Sequence, residues 1–173
     1  MVFGSIRTAA EGYRQGMAAK RSAGILLYRL EDGDPLLLLV HPGGPYWAKR
    51  DLGAWTIPKG EYEEGESARV CALREMGEEL GAAAPELTAE QLLDLGSVRQ
   101  KSGKVVEAWA AEGEFDPRAL SSNTFRLEWP PRSGSEREFP EVDRAEWFDP
   151  AEARRRILAA QAELIDRLLE RLK

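Results

Sequence analysis

The chain has 173 residues, 43% of them hydrophobic, which suits one globular domain with a sizeable core. Its formal net charge is −6, from 30 acidic and 24 basic residues, which argues against a nucleic-acid coat or a stable nucleic-acid complex. One cysteine, Cys71, allows no internal disulfide, and no apolar run is long enough to cross a bilayer, so a cytoplasmic protein without a membrane partner is expected.

The first sixteen residues, MVFGSIRTAAEGYRQG, carry no sustained periodicity and no apolar signal-peptide core. They are expected to form a flexible extension, 1–16, before a single domain spanning 17–173. SAGILLYRL (22–30) and PLLLLV (35–40), separated by the turn sequence EDGD, read as strands of a buried sheet. HPGGPYWAKRDLG (41–53) is a glycine- and proline-rich loop, AWTIP (54–58) a short strand, and KGEYEEGE a second loop. A helix is predicted from the N-cap Ser67 to Leu80, with Gly81 just past its end. LLDLGSVRQ (92–100) and KVVEAWAAEG (104–113) flank KSG as a hairpin. The stretch 116–143 reads as a long polar loop with one short strand near FRLEW. RAEWF (144–148) is the last strand. One helix follows, with Asp149 as N-cap and Pro150 at its first position. Its Ile157, Leu164, Ile165, Leu168 and Leu172 form an apolar face that packs on the sheet or serves a homodimer.

The helix is costly as written. In LREMGEELG (73–81), Glu75, Glu78 and Glu79 share a face, and each like-charge pair costs roughly 0.2–0.5 kcal/mol. Gly77 adds about 1 kcal/mol relative to alanine. At about 100° per residue, Val70, Leu73, Gly77 and Leu80 fall on one side, Met76 at its edge, and the glutamates nearly opposite. Gly77 is therefore expected to pack closely against the sheet. The glutamates are either a solvated acidic face or a site for a hard divalent cation, which prefers carboxylate and carbonyl oxygens and shares its site with phosphates.

From Gly60 to Ala82 the chain reads G-x5-E-x7-R-E-U-x-E-E-x-G-U, with U a bulky apolar residue: Gly60, Glu66, Arg74, Glu75, Met76, Glu78, Glu79, Gly81 and Ala82. This resembles the box of the Nudix hydrolases at every fixed position, Ala82 being a small choice for the last. The resemblance implies the Nudix fold, an α/β/α sandwich around a mixed β-sheet with a C-terminal helix. It implies Glu75, Glu78 and Glu79 as ligands of Mg2+ or Mn2+, with the Gly60 carbonyl completing the site. Glu66 is either a further ligand or a support for the others. Arg74 orients a carboxylate by charge-assisted hydrogen bonds. The general base varies between branches. Glu141, six residues before Trp147, matches a loop glutamate used in several, with Glu138 a nearby competitor; the alternative for both is a surface carboxylate.

The lead WTIPKG is similar to that of diadenosine tetraphosphate hydrolases and diphosphoinositol polyphosphate phosphatases. Lys59 would then contact phosphate. Lys49 and Arg50 either reach further phosphates or are solvated. Tyr46 and Trp47 either stack on a base or pack within their loop. His41, the only histidine, has no acidic or cysteine partner at metal spacing and reads as structural. The expected activity is metal-dependent hydrolysis of a nucleoside or dinucleoside polyphosphate by water attack at phosphorus. Dinucleoside polyphosphates lead, followed by nucleoside triphosphates and capped RNA ends. The alternative is a Nudix fold kept for nucleotide binding alone, which would be expected to lose box carboxylates that are all present here.

Overall fold

A computed structural model describes residues 19–173; the expected extension 1–16 lies outside them. Strand β1 (Arg21–Glu31) is buried continuously from Ser22 to Leu27, as only a strand covered on both faces requires. It pairs in parallel with β5 (Val105–Glu112) and antiparallel with β2 (Asp34–Pro42) and β3 (Lys59–Glu61). Outside these lie β4 (Leu93–Arg99) on β5 and β8 (Val142–Phe148) on β2, giving a mixed sheet ordered β4-β5-β1-β2-β8 with β3 against β1. Ala23, Ile25 and Leu27 face the core beneath α1 (Ala68–Leu80). Leu26 faces the core beneath α2 (Pro150–Arg156) and α3 (Ala162–Arg171). The α/β/α sandwich implied by the box is therefore present. Among the described residues no helix is long and apolar enough to cross a membrane.

Three expectations are corrected. Residues 54–58 are not a strand of the sheet: Thr56 forms one isolated bridge with Val40. Pro58 has no N–H to donate, and the Ile57 N–H goes to Gln161 Oε1 at 3.1 Å, so the ladder cannot extend. The strand starts instead at Lys59, within the stretch read as loop. Secondly, the polar stretch 116–143 holds two strands, β6 (Thr124–Glu128) and β7 (Glu136–Pro140), a hairpin separate from the main sheet. In β7 only Phe139 is half-buried, so its sequence shows no alternation.

Thirdly, the C-terminal helix is broken. At Ile157 the backbone turns extended, with ψ 150°, and the residue bridges Trp55, while the Leu158 N–H donates to the Trp55 carbonyl at 2.8 Å. A 3-10 turn over Ala159–Gln161 then leads into α3. The unpaired edge of 54–57 takes hydrogen bonds that a continuous helix would have kept. Gln161 is fully buried and completes the joint, its Nε2 donating to Thr56 Oγ1 at 2.9 Å. Gln161→Leu is expected to lower stability by about 1–3 kcal/mol, because it strands the buried Ile57 N–H. Urea unfolding checks this, and an unchanged midpoint would remove Gln161 from the joint. Leu164, Ile165 and Leu168 are fully buried against the chain's own core, so the apolar face of α3 packs on the sheet.

Candidate active site

Helix α1 starts where Ser67 Oγ accepts the Val70 N–H at 3.3 Å, and it ends at Gly81, whose φ of 88° suits glycine. Its orientation differs from the wheel. Cys71, Ala72, Glu75, Met76 and Leu80 are buried, whereas Val70 is 55% exposed. Small Cys71 and Ala72 let the helix lie close to β1 and β3, which turns Glu75 inward and leaves Glu79 only half exposed. Gly77 does not pack against the sheet: a Cβ built there meets nothing within 4 Å. Nothing in the structure explains a glycine here. Gly77→Ala is expected to raise stability by about 0.5–1 kcal/mol, read from thermal or urea unfolding.

Two glycines bring β3 against the helix. A Cβ at Gly24 would lie 2.4 Å from the Pro58 carbonyl oxygen, and one at Gly60 would lie 2.0 Å from the Glu75 carboxyl. The Gly60 carbonyl is turned to the helix, accepting from Cys71 Sγ at 3.5 Å. Burial pushes the Cys71 thiol up to about 11, against reactivity at neutral pH. Lys59 donates its backbone N–H to Glu79 Oε2 at 3.1 Å. Burial is the main influence on both side chains, raising Glu79 and lowering Lys59, while their mutual attraction opposes it.

Arg74 organises the rest. Its Nε and Nη2 donate to Glu66 Oε1 and Oε2 at 2.8 and 2.9 Å, a fork-to-fork pair that holds Glu66 down at about 2. Its Nη1 reaches Glu75 Oε1 at 2.8 Å and Glu78 Oε2 at 3.2 Å, and Nη2 also donates to the Glu61 carbonyl at 3.1 Å. Both Glu66 oxygens are thus taken by Arg74, which favours the supporting place over the ligand place for this residue. Glu75 stays above the ordinary carboxylate range because burial outweighs Arg74, with Glu78 and Glu141 adding repulsion.

Glu141 reaches these carboxylates through backbone hydrogen bonds. The Asn123 N–H donates to the Glu78 carbonyl at 2.9 Å, and the Asn123 carbonyl accepts the Glu141 N–H at 2.8 Å. Gly43 closes the other side, donating to the Glu141 carbonyl at 2.9 Å. Burial and then Glu78 raise the Glu141 carboxyl. Glu138 is held elsewhere, its Oε1 accepting from Thr124 Oγ1 on the hairpin. The structure therefore separates two glutamates that the sequence left in competition.

The loop 41–53 is less uniform than its composition suggests. Tyr46 is 61% exposed, whereas Trp47 is half-buried against the core with the Arg50 guanidinium 5.4 Å from its ring centre. Lys49 and Arg50 are exposed. His41 is fully buried, its Nδ1 2.7 Å from Asp143 Oδ1 and its Nε2 2.6 Å from the Arg50 carbonyl. It is structural, as read, although its acidic partner lies 102 residues away and was invisible to spacing. Sequence reading also missed a cleft of about 540 Å³ beside β3, lined by Lys20, Glu61, Arg99 and Lys104. Lys104 Nζ lies 2.9 Å from Glu61 Oε1. Only the tertiary fold brings it next to the box.

Among the described residues no three acidic, histidine or cysteine groups form a ready-made metal cage. The donor chemistry nevertheless fits a hard divalent cation. Arg74 takes one oxygen each from Glu75 and Glu78, leaving the other for a further partner. Glu75, Glu79 and Glu141 are all raised by burial and by neighbouring carboxylates, so added positive charge would relieve them.

Residues 18–168 match the NUDIX domain family model. With this fold and this acidic helix, the chain is a hydrolase acting on phosphoric anhydride bonds. An RNA pyrophosphohydrolase of Gluconobacter oxydans (strain 621H) is 34% identical over 124 residues, 66% of this chain and 69% of that protein. The chain belongs to the Nudix hydrolase family. Among solved structures, the NUDIX domain of Shewanella oneidensis NrtR complexed with ADP ribose superposes with a TM-score of 0.63 at 22% identity, covering 96% of this chain and 100% of that one. A binary complex of the C. elegans Ap4A hydrolase gives 0.59 at 23% identity, covering 89% and 98%.

Proposed function

We propose that this chain is a divalent-metal-dependent pyrophosphohydrolase that cleaves a nucleoside or dinucleoside polyphosphate, with a dinucleoside polyphosphate as the leading substrate. The observation that carries this is the placement of Glu141, brought through Asn123 to face the carboxylates of α1. Glu75, Glu78, Glu79 and the Gly60 carbonyl would hold Mg2+ or Mn2+. When bound, the ion neutralises the polyphosphate and acidifies the attacking water. Arg74, anchored by Glu66, fixes Glu75 and Glu78. Lys59 contacts phosphate beside Glu79, and Lys49 and Arg50 supply charge from the facing loop. Glu141, raised by its surroundings, accepts the proton of the attacking water.

A second substrate reading, a 5′-phosphorylated RNA end, is favoured by the 34% identical RNA pyrophosphohydrolase. The test is a panel of Ap4A, nucleoside triphosphates, ADP-ribose and 5′-triphosphorylated RNA, with Mg2+ or Mn2+, in ¹⁸O-labelled water. The label reports the attacked phosphorus, and the preferred member reports the class. No turnover of any member, or turnover unaffected by chelation, would overturn the reading. The domain itself is proposed to be 17–173, so deletion of 1–16 should leave the melting temperature unchanged.

A further inference from the structure

The single histidine does more than fill space. His41 is fully buried, and both of its ring nitrogens meet oxygen atoms, Nδ1 at 2.7 Å from Asp143 Oδ1 and Nε2 at 2.6 Å from the Arg50 carbonyl. A backbone carbonyl only accepts, and so does an ionised carboxylate. A neutral imidazole has one N–H, so it would set a bare lone pair against one of these oxygens. Both separations are as short as charge-assisted hydrogen bonds, which run at about 2.7–2.9 Å. Two donating nitrogens satisfy both contacts.

The other charges around the ring are engaged elsewhere. Arg144 Nε stands 3.8 Å from the same Asp143 oxygen, and its guanidinium lies 5.1 Å from the ring centre of Trp55. Trp55 in turn packs edge to face on His41 with ring centres 5.3 Å apart. Asp51 accepts from Trp55 Nε1 at 2.8 Å and from Arg156 of α2 at 2.6 Å, and the Arg50 guanidinium lies over Trp47.

The place of Asp143 is itself a built feature. Strands β2 and β8 pair His41 with Arg144 and Pro42 with Val142, so Asp143 is the extra residue of a β-bulge. Bulges re-aim side chains, and this one turns Asp143 onto His41. One step further along, the Gly43 N–H meets the Glu141 carbonyl. His41 therefore joins two parts of the site. Through Nδ1 it holds the bulge two residues from Glu141, and through Nε2 the end of the loop that carries Lys49 and Arg50.

We infer that His41 is a positioning residue of this enzyme: its doubly protonated ring holds the loop 41–53 and the Glu141 end of β8 in one register. Its effect on rate rests on the hydrolase reading above, whereas its two bonds can be observed without turnover.

The test begins with the ring itself, whose signals are unambiguous because the chain has one histidine. In ¹⁵N-histidine-labelled protein at pH 7, both ring nitrogens should carry slowly exchanging protons. Asparagine places its amide nitrogen where Nδ1 stands and glutamine where Nε2 stands, so each variant keeps one bond and drops the other. Kinetics are read with Mg2+ and Ap4A, or the panel member turned over fastest. His41→Gln frees the bulge beside Glu141 and should lower kcat by about 10-fold or more with KM little changed. His41→Asn frees the Arg50 end of the loop and should raise KM by about 5-fold or more with kcat little changed. Asp143→Asn, at a part-exposed position, keeps the test decisive should the buried His41 variants fail to fold. Its amide can donate to Nδ1, so one ring nitrogen should lose its proton in the spectrum. A bare ring nitrogen in the parent, equal kinetic effects in His41→Gln and His41→Asn, or two ring N–H groups persisting in Asp143→Asn would overturn the inference. A parent that showed both N–H groups yet turned over no member of the panel would sink the hydrolase proposal and leave the two bonds standing.

Discussion

Glu79→Gln is expected to reduce kcat by about 10²–10³-fold, the loss typical when one electrostatic stabiliser of a transition state is removed. Its fold should survive, since the amide oxygen can still accept the Lys59 N–H that now reaches Oε2 at 3.1 Å. The side chain keeps its shape and loses its charge. Stability should move the other way from activity. Burial raises the Glu79 carboxyl above its ordinary range, so the folded state prefers it neutral. Its favourable contribution is therefore complete below the ordinary carboxylate value and is lost as pH rises through the raised one. Glutamine never ionises, so in chelator the variant should melt above the parent by a margin that widens from pH 5 to pH 9. Steady-state kinetics with Mg2+ and melting curves in chelator check the two halves separately. Parent-like turnover would remove Glu79 from the machinery. A margin that shrank with pH would mean that its carboxylate is welcomed by the fold rather than tolerated for a ligand.

The sequence made the chemistry of the helix legible and its orientation illegible. The spacing of Glu66, Arg74, Glu75, Glu78 and Glu79 identified the box, because those offsets need only local geometry. A helical wheel weights every apolar side chain alike, however, and so placed Val70 inside and Glu75 outside. The fold chooses otherwise because carboxylates can turn inward once Arg74 and the Lys59 N–H are there to meet them. Those donors are tertiary facts. The same limit explains the C-terminal segment, where periodicity suggested one helix and the open edge of Trp55 broke it. It explains β7 too, whose residues are nearly all exposed and carry no burial rhythm.

Glu141 was legible only as one of two. Glu138 and Glu141 look equivalent along the chain, and the difference lies in what each backbone touches. Glu138 is paired within the hairpin, opposite Arg126. Glu141 follows the last residue of β7 and is clamped between Asn123 and Gly43. The segment 121–123 also closes α1, since the Ser121 N–H donates to the Leu80 carbonyl at 3.1 Å. One short stretch therefore finishes the acidic helix and places the fourth carboxylate opposite it. Moving that stretch would displace both together, which ties the hairpin to the chemistry more tightly than its polar sequence implied.

Gly60→Ala is expected to damage the site more than the fold. Gly60 has no left-handed backbone to lose, so the effect is steric alone: the new Cβ would fall 2.0 Å from the Glu75 carboxyl. Either Glu75 swings away from Arg74 or β3 retreats from α1, and both outcomes shift the carboxylates relative to Lys59. Overpacking of this kind costs about 1–3 kcal/mol in stability. An ångström of misplacement costs about 10²-fold in rate, so activity should fall further than the melting temperature suggests. Gly65→Ala is the matched control. It has φ 74° and nothing within 4 Å of an added Cβ, so it suffers backbone strain of about 1 kcal/mol without touching Glu75. Gly65→Ala should lose stability and keep its kcat, and Gly60→Ala should lose both, with rescue at high Mg2+ incomplete because the carboxylates proposed to hold the ion would be displaced rather than weakened. Equal kcat in the two variants would mean that the close approach of Gly60 to Glu75 packs the strand and has no part in the reaction.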